Sequence, residues 1–358
     1  MKYRNNVLLQ FCNVWWLGGT SLFVLDIIKA FPEMHHIVCY RSDSKVNHEL
    51  TDMATGEYLA EVLYMQKVTR KFLDDKQPFV TIAHNLPSGA YEKDDIKFDP
   101  KTEFYKQFGI VKEYPIISWH HSAVKSWIPT AAHIFNSIYT EKMYKNLHKH
   151  MEYMKVIPPC IDVDTYSSVR REMKKDVYNF GIVDNWNNKK FSPELFVRII
   201  SEMEKHNKLL GKDDVPWHLH IVTSRSMFQK YRGNPTIHVY NFEMDLRNFY
   251  GLVDCMIYYP EIKDTWGRVL TEAMASGCSL IVRNFGGLSE QLVGLKDYAY
   301  PAHSYENVQW LMKHAYRKGR DENYDHTMLT EHARKIAGHE VLRAKLTPLM
   351  LKIGNGDW

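Results

Sequence analysis

Short apolar runs alternate with longer segments of helical periodicity along the whole chain. In the first half the runs NVLLQFCNV, MHHIVCY, PFVTIAH, YPIISWHH, HIFNS and MKVIPP predict strands. Between them, TSLFVLDIIKAF and GEYLAEVLYMQKVTRKFL predict helices. After residue 170 the rhythm restarts, with strands in YNFGIVD, HLHIVTS, PTIHVYN, CMIYYP and SLIVRNF and a helix in PELFVRIISEMEKHNKLL. Strand–helix alternation on this scale predicts an α/β protein with parallel sheets covered by helices on both faces. No fixed-period repeat appears, which favours two Rossmann-like halves over a solenoid. The stretch IPPCIDVDTYSSVRREMKKD combines two prolines, a turn-rich segment and a charged run, and marks a boundary. The expected domains are 1–165 and 166–337. A last helix within 338–358 has no strand after it and is expected to pack back on the first domain.

Composition changes this picture little. The 358 residues are 45% hydrophobic and 25% charged, as in an ordinary globular protein with a large core. A net charge of +4 neither demands nor excludes a polyanionic partner. Five scattered cysteines, never spaced CxxC, point to free thiols in a reducing compartment and away from a cysteine zinc site. Gln10 and Asn13 interrupt the first apolar run, so no signal peptide is expected. No stretch approaches the roughly 20 apolar residues that span a bilayer. The expectation is a cytoplasmic protein without an integral membrane segment.

The chemistry concentrates in DTWGRVLTEAMASGC, Asp264 to Cys278. MIYYP is a strand ending at Pro260, EIKDTWG a loop, RVLTEAMAS a helix and Gly277 its C-terminal cap. Asp264 precedes the helix and Glu272 lies in its second turn. Ligands of doubly wound sheets bind beyond the carboxyl ends of the strands, where a helix start attracts phosphate. Ionised carboxylates there accept hydrogen bonds from hydroxyl groups. Phosphate together with several hydroxyls describes a nucleotide sugar. The competing explanation is an acidic turn that merely complements the helix dipole, and the spacing alone does not separate the two.

The longer string DTWGRVLTEAMASGCSLIVRNFGGLSEQL resembles the donor-sugar motif of the retaining family-four glycosyltransferases, which have the GT-B fold of two facing Rossmann-like domains around an interdomain cleft. In that family a Glu, a turn ending in Gly and a second Glu are followed by Ala-Met-Ala, a small residue, Gly, a strand and a Gly-Gly loop, here Gly286–Gly287. Asp264 replaces the first Glu. The resemblance implies that Asp264 holds donor-sugar hydroxyls and Glu272 the nucleotide ribose. It implies that the amides near Thr265, Trp266, Gly267 and Arg268 face the diphosphate. Gly18 and Gly19 stand for the family's Gly-rich loop near the donor phosphates. His121, with His120 as the alternative register, stands for a His that lines the reaction centre; the remaining histidines, including His35–His36, are read as structural. In FGIVDNWNNKKF, Lys189 or Lys190 fills the family's Lys, but its diphosphate-binding Arg is Ile182, leaving Arg225 or Arg268 as substitutes. Asp162 and Asp164 form a DxD on the linker that is not expected to bind metal.

The implied reaction is metal-free, retaining transfer from a nucleoside-diphosphate sugar to an acceptor hydroxyl, with no cofactor. The acceptor stays open: a lipid-linked saccharide, a small metabolite, or duplex DNA with hydroxymethylated bases. For DNA, AHNLPSGA and SWHHS resemble phage DNA α-glucosyltransferases. Lys93, Lys97, Lys101, Tyr105, Lys106, Lys125 and Trp127 could meet phosphates and a flipped base. A catalytically degenerate sugar-nucleotide-binding protein is the non-enzymatic alternative.

Overall fold

The computed structural model describes residues 6–12, 15, 18–40, 48–85, 91–92, 95–96, 116–121, 130–146, 151, 153–169, 176–184, 190–241 and 245–357. The chain divides into two compact units, Met1–Ile161 with His339–Trp358, and Asp162–Gly338.

The first unit is a seven-stranded parallel sheet in the order β3-β2-β1-β4-β5-β6-β7. The strands are β1 (Val7–Cys12), β2 (His35–Tyr40), β3 (Glu61–Tyr64), β4 (Val80–His84), β5 (Ile116–His120), β6 (Ala132–Phe135) and β7 (Met154–Val156). Strands β1, β4, β5 and β6 are buried along their whole length, which is why they read as continuous apolar runs. Helix α1 (Gly19–Ala30) follows β1 and buries Phe23, Val24, Ile27 and even Asp26. The segment expected as one helix from Gly56 to Leu73 is instead the edge strand β3, a short 3-10 turn and helix α2 (Arg70–Lys76). Thr69 caps α2 by accepting the Phe72 amide.

The second unit is a six-stranded parallel sheet in the order β10-β9-β8-β11-β12-β13. Its strands are β8 (Tyr178–Asp184), β9 (Trp217–Thr223), β10 (Ile237–Tyr240), β11 (Cys255–Tyr258), β12 (Ser279–Arg283) and β13 (Ala299–Ala302). Helix α3 (Pro193–Lys208) starts on a Ser192 cap with Pro at its first turn, an N-terminal signal visible in the sequence. Helices α4 (Arg268–Ala275), α5 (Tyr305–Gly319) and α6 (Thr327–Ala337) complete this unit.

Helix α7 (His339–Gly354) closes the chain in the first unit. Its Leu342, Leu346, Leu349, Met350 and Ile353 share one core with Phe31, Phe79, Ile117, Trp119 and Ile157. Arg343 fastens it to α1, donating to the Ala30 carbonyl and lying 2.8 Å from Glu33.

Candidate functional site

Strand β11 is fully buried and ends at Tyr258, just before the Tyr259–Pro260 step. The following loop turns into α4 through Gly267, which sits at φ +76 where only glycine is unstrained. A Cβ there would also meet Leu288 at 2.5 Å. Trp266 is buried, donates its indole N–H to Thr271 (3.1 Å), and its carbonyl takes the Gln291 amide. Gln291 in turn accepts the Thr271 hydroxyl at 2.9 Å. These bonds hold Thr265–Gly267 rigidly, with the side chains of Thr265 and Trp266 turned into the protein.

Asp264 projects at the head of this turn. Its Oδ2 accepts from the Tyr258 hydroxyl (2.6 Å) and lies 3.0 Å from Lys190 Nζ. Burial pushes this carboxyl upward, but the Lys190 charge, the Tyr258 hydroxyl and the Trp266 amide outweigh it and hold the pKa below the usual value. Asp264 is therefore an anion at neutral pH. Its backbone carbonyl accepts the Gly287 amide (3.0 Å), and a Cβ on Gly286 would come within 2.6 Å of that carbonyl. Gly286 has φ +64. The Gly-Gly loop thus positions the acidic residue from behind.

Glu272 is buried one turn inside α4. Arg268 Nε lies 2.5 Å from one oxygen, and the Tyr250 hydroxyl donates to the other at 2.8 Å. Each oxygen keeps lone-pair capacity for a further donor. Both cations considered for the missing Arg are ion-paired. Arg268 serves Glu272, while Arg225 is buried against Asp184, with Nε 2.6 Å from Oδ2 and a further bond to the Phe191 carbonyl. Ile182 is buried core within β8, in register with Ile221. Burial raises the Asp184 carboxyl to about 6, with Arg225 and Lys190 opposing that rise. Lys190 thus acts on two carboxylates, Asp264 and Asp184. Lys189 lies outside the described residues.

In the first unit, Gly18 precedes α1 in extended geometry and its carbonyl accepts the Leu22 amide. A Cβ at Gly19 would meet nothing within 4 Å, so packing does not require glycine there. His120 is buried against His133 (3.1 Å), Phe135 and Tyr144. His121 emerges at the end of β5, with its amide on Asn85 and its ring stacked on Trp119.

A buried chain of bonds sets the proton positions on His121. His36 Nε2 must donate to the Phe31 carbonyl (2.8 Å), so its Nδ1 accepts from Gln10 Nε2 (3.5 Å). Gln10 Oε1 then accepts from His84 Nε2 (3.2 Å), and His84 Nδ1 from His121 Nε2 (2.9 Å). Burial holds all three imidazoles neutral, His84 at about 3. His121 therefore carries its proton on Nε2 and presents Nδ1 as an acceptor. The one sequence signal for this relay is Gln10, a polar residue inside an otherwise apolar strand.

Asp162 caps the short helix Val163–Ser167 and Asp164 pairs with Arg334 at 2.8 Å, so each linker aspartate has its own structural partner. The seven basic and aromatic residues considered for DNA, Lys93 to Trp127, lie outside the described residues. Among the described residues no helix is long and apolar enough to cross a membrane.

Solved structures of similar fold cover nearly the whole chain. A glycosyltransferase from Rickettsia africae aligns with TM-score 0.74 at 11% identity, over 99% of this chain and 100% of its own. HepE from Anabaena, solved in complex with UDP and glucose, aligns with 0.68 at 12%, over 96% and 99%. Sucrose-phosphate synthase from Thermosynechococcus elongatus aligns with 0.66 at 12%, over 98% and 99%. No curated protein sequence matches the chain. The two parallel-sheet Rossmann-like units are those of the GT-B fold, and residues 203–334, which hold the Asp264–Glu272 loop and helix, match the family model of glycosyl transferases group 1.

Proposed function

We propose that the chain is a metal-independent retaining glycosyltransferase that moves a sugar from a nucleoside-diphosphate donor to an acceptor hydroxyl. The observation that carries this reading is the Asp264–Lys190 pair at the head of α4, an ionised carboxylate and an ammonium fixed 3.0 Å apart on a glycine-supported turn. One accepts sugar hydroxyls and the other neutralises a diphosphate. Glu272 is assigned to the nucleotide ribose, and the Thr265–Arg268 amides, Gly18, Gly19 and the lysines 189 and 190 to the diphosphate. His121, with Nδ1 as an acceptor, suits a donor-sugar hydroxyl and repels phosphate oxygen. HepE was solved with UDP-glucose, and an E. coli neighbour with UDP-2-fluoro glucose, which favours a UDP-sugar here.

In this reading the sugar–phosphate bond breaks as positive charge develops at the anomeric carbon. The acceptor oxygen enters on the same face and its proton passes to the departing phosphate oxygen. The protein contributes orientation and charge stabilisation, with no step through a metal.

The test is nucleotide release from a panel of nucleoside-diphosphate sugars, with proton NMR of the product anomer. Lipid-linked, small-molecule and 5-hydroxymethylcytosine DNA acceptors form separate arms. Release from one donor, lost in Asp264→Asn and with retained configuration, is the expected result. Inverted configuration removes the retaining assignment. Donor binding without release in any arm replaces the enzyme by a sugar-nucleotide-binding protein.

A further inference from the structure

The histidines of the second unit are scattered in sequence, yet β9 and β10 gather three of them. His218 and His220 are two apart on β9 and so point to the same face. His238 on β10 is in register with His220. One ligand atom from each lies within 4.8 Å of the others, and His218 Nδ1 and His238 Nε2 are 3.2 Å apart. Tetrahedral zinc with nitrogen at about 2.0–2.1 Å requires ligand nitrogens roughly 3.3–3.4 Å apart, so one pair already has the spacing of a chelate.

The surroundings match what a metal-bound imidazole needs. Asn179 Oδ1 can only accept, so His220 donates Nε2–H to it at 3.0 Å. In the neutral ring Nδ1 is then the lone pair, and it receives the Tyr240 hydroxyl at 2.9 Å. A carbonyl that fixes the distal N–H and turns the other nitrogen toward the ion is the usual outer support of a histidine ligand. His218, His238 and Tyr240 are each partly open to solvent, so an ion has a route in.

We propose that His218, His220 and His238 form a binding site for one divalent transition-metal ion of the zinc class, with Tyr240 beside its fourth position. Binding takes the place of the His218–His238 hydrogen bond, its proton moving to the other nitrogen of the ring that donated it, and clasps the edge strand β10 onto β9. The donor set is all imidazole, which selects zinc-like ions over magnesium or calcium. The site sits on the sheet face of strands β9 and β10 and does not depend on the transferase reading.

The test uses the tag-free full chain stripped with a chelator, then titrated with Zn2+ against a chromophoric chelator and separately with Co2+. One equivalent should bind per chain, Co2+ should give the intense visible bands of a tetrahedral site, and Zn2+ should raise the thermal midpoint. His238→Gln and His218→Gln, both partly exposed, should keep the metal-free midpoint and lose all three effects. Asn179→Ala should weaken Zn2+ by about 10–100-fold. Stoichiometric zinc retained by both Gln variants, or wild-type binding no tighter than theirs, overturns the site.

Discussion

Replacing Lys190 by Met removes one charge from a pair whose partner stays partly buried. At 3.0 Å and an effective dielectric of about 20, the gross attraction is about 5 kcal/mol. Fully buried pairs lose about 3–5 kcal/mol when one partner is removed, and exposed pairs about 0–1. The Lys190 and Asp264 side chains are 18% and 19% exposed, which places the expected cost near ~2 kcal/mol. For a unit of this size that is a fall of about 4–8 °C in midpoint. The Asp264 pKa should rise, since the Tyr258 hydroxyl and Trp266 amide remain but the ammonium is gone. The loss should therefore shrink in acid, where Asp264 is protonated in either protein. If Lys190 also meets the diphosphate, losing a charge-assisted bond of about 1.5–3 kcal/mol should weaken UDP roughly 10–150-fold. The assay is urea unfolding of Lys190→Met, Asp264→Asn and the double variant, with calorimetric UDP titration of each. A coupling energy within about 0.5 kcal/mol of zero refutes the energetic link; unchanged UDP affinity refutes the diphosphate role alone.

Four further outcomes follow from the same geometry. Asp254 accepts the Asn179 amide while burial raises its carboxyl to about 7, so the folded state keeps a proton that the unfolded chain releases near pH 4. Stability should fall between about pH 4 and 7, by up to ~4 kcal/mol, and Asp254→Asn should flatten that slope in urea titrations. Arg225→Met leaves Asp184 buried without its cation and should cost about 3–5 kcal/mol, read as a lower urea midpoint. Gly286→Ala drives a methyl into the Asp264 carbonyl at a positive φ, and should reduce donor turnover by more than about tenfold with a loss of stability of only about 1–3 kcal/mol. Chelation with EDTA should leave donor turnover unchanged while abolishing any zinc-dependent gain in midpoint.

The elements that the sequence made most legible are the buried ones. Strands β1, β4, β8 and β11 have no solvent face, so they appear as apolar runs that no periodicity analysis misses. The edges escaped. EVLY in β3 is partly exposed and its apolar spacing also fits the helix expected there. AYPA in β13 contains Pro301, which argues against a strand yet is tolerated at the outer edge of the sheet. The loop and helix around Asp264 and Glu272 were readable because glycine, proline and helix-forming residues follow one another there. Their partners were not. Lys190, expected only at the diphosphate, meets Asp264 across α3 and strands β9 to β11, Arg225 meets Asp184 across 41 positions, and Gln10 meets His84 across 74. Such pairings depend on strand order, which no local signal encodes.

Helix α7 also sets an order of events during synthesis. The second unit is one continuous segment and is complete once residue 338 has left the ribosome. The first unit, begun earlier, still lacks Leu342, Leu346, Leu349, Met350 and Ile353 at that moment, with Phe31, Phe79 and Ile157 awaiting them. The half made first is therefore the half finished last. A chain cut short between residues 339 and 358 has a finished second unit and an open apolar seam in the first, a ready substrate for chaperones and for quality-control proteases.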